Sequence, residues 1–126
     1  MNKVFAVRGI RGATTVEADQ PELILAATQE VLEAMIMAND GMLPDDVASA
    51  FFTVTDDLAA VHPALAARQM GWSLVPMMCA REIPVPGSLP MCIRVLVNWN
   101  TICEQKAIKH VYLHKAVKLR PDLVNA

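Results

Sequence analysis

The chain has 126 residues, 54% of them hydrophobic and 19% charged, which fills one core and leaves too little length for two, so a single domain spanning 1–126 is expected. Its longest apolar runs are broken within a few residues by Gln, Glu, Asp or Pro, which argues against a membrane-spanning helix, and the few residues before VFAV are too short for a signal peptide. The net charge is −2, and three cysteines, Cys79, Cys92 and Cys103, an odd count at no metal-like spacing, argue against a disulfide framework, so a soluble cytoplasmic protein with reduced thiols is expected.

In chain order, VFAV reads as a short buried strand, and RGIRGATTVEAD as the loop that leaves it. Asp19 or Gln20 followed by Pro21 starts a helix, with Leu23, Ile24, Ala27, Val31, Met35 and Ile36 at helical spacing and Asn39-Asp40-Gly41 as its stop. ASAFFTVT is rich in Phe, Val and Thr and reads as a strand closed by Asp56-Asp57. PALAARQMGW is a short helix between Pro63 and Gly71, and SLVPMMC is a strand that Pro76 interrupts or confines to an edge. IPVPGSLP, with three prolines and a glycine, is a stiff loop. MCIRVLVNW and KHVYLHKAV read as two further strands before the polar tail KLRPDLVNA. The order β-α-β-α-β-β-β predicts an α/β or α+β domain with about five strands in a mixed sheet.

The charge is unevenly spread. Residues 1–57 carry ten acids and three basic residues, whereas 58–126 carry only Glu82, Glu104 and Asp122 against eight Lys and Arg. Either several cations of the second half converge on something negative or they form a solvated basic face. His110 and His114 have the HxxxH spacing of a helical metal site, but on a strand they would stand roughly 13 Å apart, too far to share an ion. No Ser, His and Asp grouping sits in a nucleophile context, and no Gly-rich loop has the spacing for a nucleotide. GIRG matches the GxxG of a single-strand RNA clamp, yet it follows a strand instead of joining helices. What remains is cationic: Arg11, Arg68, Arg94 and Arg120, with Arg94 set inside the apolar run CIRVLV. Arg94 either points outward from an alternating strand or works in a site, and Glu82 is either a surface acid or its ion-pair partner.

The RGIRGATTVE opening, the PALAAR helix, the CAREI segment, the CIRVL strand and the ending HVYLHKAVKLRPDL together resemble the monofunctional chorismate mutases of the Bacillus type, in order and across almost the whole chain. The resemblance implies an isomerase that converts chorismate to prephenate on the route to phenylalanine and tyrosine. It also implies a homotrimer whose mixed sheets, with helices on one side, pack into a central pseudo-barrel. The active sites would lie at subunit interfaces, with no cofactor, no metal, no nucleic acid and no membrane involved.

The reaction itself explains why arginines would matter. Chorismate is a dianion, and its rearrangement is a pericyclic shift in which an ether C–O bond breaks as a C–C bond forms, without proton transfer or covalent adduct. A protein helps by holding the compact conformer and by placing positive charge where the ether oxygen gains electron density. By resemblance, Arg11 clamps a carboxylate, with Gly12 letting the backbone turn there, and Arg94 reaches the ether oxygen and a carboxylate. Tyr112 adds a hydroxyl donor, Glu82 and Cys79 meet the ring hydroxyl, and Arg68, Leu119 and Arg120 cover the mouth. Read without the resemblance, Tyr112 is a core aromatic and Cys79 a core thiol.

The chain departs from the family pattern at His62, where the relative compared has an aromatic, and at Leu65, where it has a lysine. A cation is therefore lost from the entrance, and an imidazole is gained. Two other classes fit parts of the pattern: a non-catalytic trimer that binds a small carboxylate, and a single-stranded RNA binder. The latter needs aromatic stacking platforms, and only 5% of the residues are aromatic.

Overall fold

The structure, a computed structural model, describes residues 5–119. Strand β1 (Ala6–Thr15) is followed by helix α1 (Pro21–Ala38), β2 (Val47–Val54), α2 (Ala64–Gln69), β3 (Met77–Arg81), β4 (Cys92–Thr101) and β5 (Val111–Tyr112). Short 3-10 turns lie at Pro44–Asp46, Gln105–Ala107 and His114–Leu119. The five strands form one mixed sheet in the order β3-β2-β4-β1-β5. β4 runs antiparallel to both β1 and β2, while β3 joins β2, and β5 joins β1, in parallel. The parallel β2–β3 pair needs a crossover, which α2 supplies.

α1 starts as its sequence predicts. Gln20 precedes Pro21 at the first helical position, where the missing N–H costs nothing. Ile24, Thr28, Val31, Leu32 and Met35 form its buried face. Asn39 ends it and ties that end to the far side of the chain: its Nδ2 donates to the carbonyls of Met35 and Lys109, and its Oδ1 accepts from Lys109 N, each at 2.9 Å. Pro76 stands just before β3, which is an edge strand as expected.

Period-2 alternation divides the sheet into two unlike faces. Ile10, Ala50, Phe52, Val95, Val97 and Trp99 point to one side and pack with Val31, Leu32 and Met35 of α1 and Ala64 and Ala67 of α2. Both helices cover this face. On the opposite face Val7, Phe51, Met78 and Leu96 remain exposed.

Two sequence expectations are corrected. The RGIRGATT segment is not a loop, because β1 runs straight through it and pairs without a break from Ala6↔Thr101 to Thr15↔Cys92. Neither Gly9 nor Gly12 has the positive φ of a turn, so Gly12 does not bend the backbone. It makes room for α1: a Cβ at position 12 would lie 2.4 Å from Met35 Sδ and 3.1 Å from Val95 Cγ1. The second correction concerns KHVYLHKAV, of which only Val111 and Tyr112 are strand. His114, at φ 54°, turns the chain into the 3-10 segment that follows. With that turn the two histidines serve different elements: His110 Nδ1 accepts from Arg11 N at 3.0 Å, and His114 Nε2 lies 2.8 Å from Glu30 Oε1 on α1.

Candidate active site

The face of the sheet without helices carries Arg11 and Arg94. Cross-strand register sets Ala13 opposite Arg94, and Arg94 opposite Thr53, with Arg11, Leu96 and Phe51 forming the adjoining row. A cavity of about 410 Å³ opens on these two rows. Arg11 and Arg94 supply its charge, Phe51, Leu96 and Leu119 its apolar wall, and Thr53 and Tyr112 its hydroxyls.

Each of these groups is placed by a specific backbone feature. Arg11 is held where β1 meets the last part of the chain, since its N–H donates to His110 Nδ1 and its neighbour Gly12 pairs with Val111. Accepting at Nδ1 requires that nitrogen to be unprotonated. Tyr112 is buried against Ala13 and Ala116, so its ring is core while its edge lines the cavity. The 3-10 turn after His114 then brings Leu119 to the rim.

Arg94 is half exposed and pairs with Glu82, its Nε lying 3.1 Å from Oε1. Glu82 follows β3 directly, and its N–H donates to Val54 O at 2.8 Å, which extends the β2–β3 ladder past Arg81. The Thr53 hydroxyl donates to the same Oε1. Two residues before Arg94 on β4 is the buried Cys92. Burial pushes its thiol from 9.0 up to about 11 against the opposing pull of the Arg94 guanidinium, so the sulfur is neutral and leaves the arginine's charge uncancelled. The proline-rich segment that follows Glu82 is pinned at its far end, where Asp57 accepts Met91 N–H at 3.0 and 3.1 Å. Thr55 links Asp57 to β4, donating to Oδ1 at 2.5 Å and accepting Cys92 N–H at 3.0 Å.

Of the residues singled out in the sequence, Arg11, Arg94, Tyr112 and Leu119 share the cavity, and Glu82 joins it through Arg94. Cys79 does not line it. Its register partner is Phe52, on the helix-covered face, and its side chain packs against that core. It borders instead a separate cleft of about 370 Å³ that also holds His62. Arg68 is exposed in the last turn of α2, outside the cavity, and Leu65 is half-buried on the same helix. Arg120 lies outside the described residues. Thr53 and Phe51 are site residues that sequence reasoning passed over, although the alternation in AFFTV already sets them on one face. The GIRG run lies flat within β1, which is not the loop of an RNA clamp.

The chain matches the sequence model of the family described as Chorismate mutase type I over residues 7–123. The chain belongs to this family. Two similar curated proteins are both called chorismate mutase AroH. The one from Thermus thermophilus is 56% identical over 120 residues, covering 95% of this chain and 98% of that protein. The one from Bacillus subtilis is 49% identical over 118 residues, covering 93% and 92%. A solved chorismate mutase from Clostridium thermocellum superposes with a TM-score of 0.83 at 52% identity, over 86% of this chain and 96% of that one. The paired arginines on the open sheet face are thus a feature of a chain of chorismate mutase fold.

Proposed function

We infer that the protein is a chorismate mutase, an isomerase that converts chorismate to prephenate in aromatic amino acid synthesis, and that the cavity between Arg11 and Arg94 is where it acts. The observation that carries the assignment of the site is the convergence of two arginines and a tyrosine hydroxyl on one apolar-walled cavity, in a chain of this family. In this reading Arg11 clamps a carboxylate. Arg94, with Nε turned to Glu82, directs its terminal nitrogens to the second carboxylate and the ether oxygen, where negative charge grows as the C–O bond breaks. Tyr112 donates to the substrate, and Glu82 accepts from the ring hydroxyl. The apolar wall holds the compact conformer and keeps water from weakening the charge interactions.

The proposal includes a homotrimer with its sites at subunit interfaces. The open sheet face exposes Val7, Phe51, Met78 and Leu96, and further copies of the chain would cover this apolar surface. Arg68 and His62, remote from the cavity of their own subunit, would then serve a neighbour's. A cytoplasmic, single-domain enzyme fits this reading; among the described residues no helix is long and apolar enough to cross a membrane.

Incubating the purified protein with chorismate and following the loss of its diene absorbance tests the function. Turnover is expected without added metal or cofactor. Binding of a chorismate analogue with no turnover would replace the enzyme by a carboxylate-binding protein.

A further inference from the structure

Glu82 has a feature that its ion pair does not explain. The carboxylate receives two contacts from the described residues, and both end on one oxygen: Arg94 Nε approaches Oε1, and the Thr53 hydroxyl donates to it. A glutamate carboxylate turns easily about its last torsion, which has broad wells, and the approach of one guanidinium nitrogen to one oxygen does not fix it. A second donor on the same oxygen, arriving from a different strand, fixes the plane of the group. Thr53 is well placed to be that donor. It is the register partner of Arg94 on one side and of Ala80 on the other, and Ala80 has no polar side chain to compete for the hydroxyl. The Thr53 backbone is held near the C-terminal end of β2, which pairs with β3 on one side and β4 on the other. Thr53 also lines the cavity, while the Glu82 side chain is 21% exposed and lines an adjoining pocket of about 230 Å³ that shares Arg94 with it.

We propose that Thr53 is a positioning residue: with Arg94 it occupies Oε1 of Glu82 and thereby presents Oε2 as the acceptor for the substrate's ring hydroxyl. This rests on the reading of the cavity as the chorismate site. Thr53 does no chemistry and need not touch the substrate. Its contribution is to spare the complex the ordering of a free carboxylate. A serine at 53 keeps the donor, whereas valine keeps the shape and removes it.

A double-mutant cycle with Glu82 tests the proposal. Thr53→Val is expected to lower kcat/KM about tenfold, the size of one lost hydrogen bond to a charged group. Thr53→Ser should stay within about twofold of the parent. In a Glu82→Ala background Thr53→Val should cost nothing further, because the group it positions is gone. Thr53→Ala serves in the same cycle if the valine variant does not fold. Unchanged kinetics in Thr53→Val, or an equal loss with and without Glu82, overturns the proposal and leaves Thr53 a structural strand residue. Failure of the reading beneath it looks different: there the parent protein shows no turnover, or Glu82→Ala is as active as the parent.

Discussion

Gly12 of β1 lies against the side chain of Met35 of α1 so closely that a Cβ on Gly12 would fall 2.4 Å from the sulfur. This contact sets how near α1 sits to the sheet, and so fixes the strand that carries Arg11 one residue away. Met35 is fully buried and cannot swing into solvent without opening the core. Gly12→Ala is therefore expected to destabilise the fold by about 1–3 kcal/mol, the usual cost of overpacking. Met35→Ala, harmful alone, should relieve part of that cost in the double variant, so the two changes will be less than additive in denaturant unfolding. Full additivity would mean that the helix simply shifts.

The two misread segments show which information a local pattern lacks. Pro21, the 3.6-residue spacing and Asn39 specify α1 within the sequence of α1 itself, and the β-branched and aromatic runs specify β2 and β4. Gly9 and Gly12 suggest a turn because their usual reason is a positive φ. Here the reason for Gly12 is Met35, 23 residues away, and nothing in RGIRG encodes that distance. KHVYLHKAV fails for a different cause: its strand composition is real at Val111 and Tyr112, but His114 takes a left-handed conformation that a non-glycine residue does not advertise. In the same way Arg94 and Glu82 stand out as unusual residues, whereas Thr53 becomes a site residue only once β2 is in register with β4.

Assembly gives a prediction of its own. If copies of the chain cover the open sheet face, sedimentation should report about three times the 13.8 kDa of one chain. Met78 is 63% exposed on that face and does not line the cavity. Met78→Glu should break the assembly by placing a charge where apolar surface is covered, and most of the activity should go with it. A fully active monomer would rule out interfacial sites.

Cys92 makes stability pH-dependent in the alkaline range. Its thiol is raised in the folded protein from 9.0 to about 11, chiefly by burial. The folded state therefore holds this proton after the unfolded chain has released it. The contribution to stability is fully present below pH 9 and is lost as pH rises towards 11. Comparison with Cys92→Ala isolates it from the other groups of the chain. The stability difference between parent and variant should narrow by about 2 kcal/mol from about pH 8 to about pH 11. A constant difference across that range would mean that the thiol is solvated in the native state.

Arg94 is where electrostatic catalysis and simple binding diverge most. Its side chain is half exposed and its only described ion pair is with Glu82, so replacing it should leave the fold intact. If it donates to the breaking ether bond, its contacts strengthen as the oxygen gains charge, and the loss should fall on kcat more than on substrate affinity. One such donor is typically worth about 3 kcal/mol, or roughly two to three powers of ten in rate. Arg94→Lys should recover only part of it, because lysine keeps the charge but lacks the planar fork that reaches an ether oxygen and a carboxylate together. Citrulline at position 94 is the sharper probe, since it keeps nearly the shape and the donors while removing the charge. Turnover should then almost vanish in a protein that still folds, assembles and binds a substrate analogue. Normal turnover with citrulline would show instead that conformer selection by Arg11, Tyr112 and the apolar wall carries the reaction, with charge at the ether oxygen contributing little.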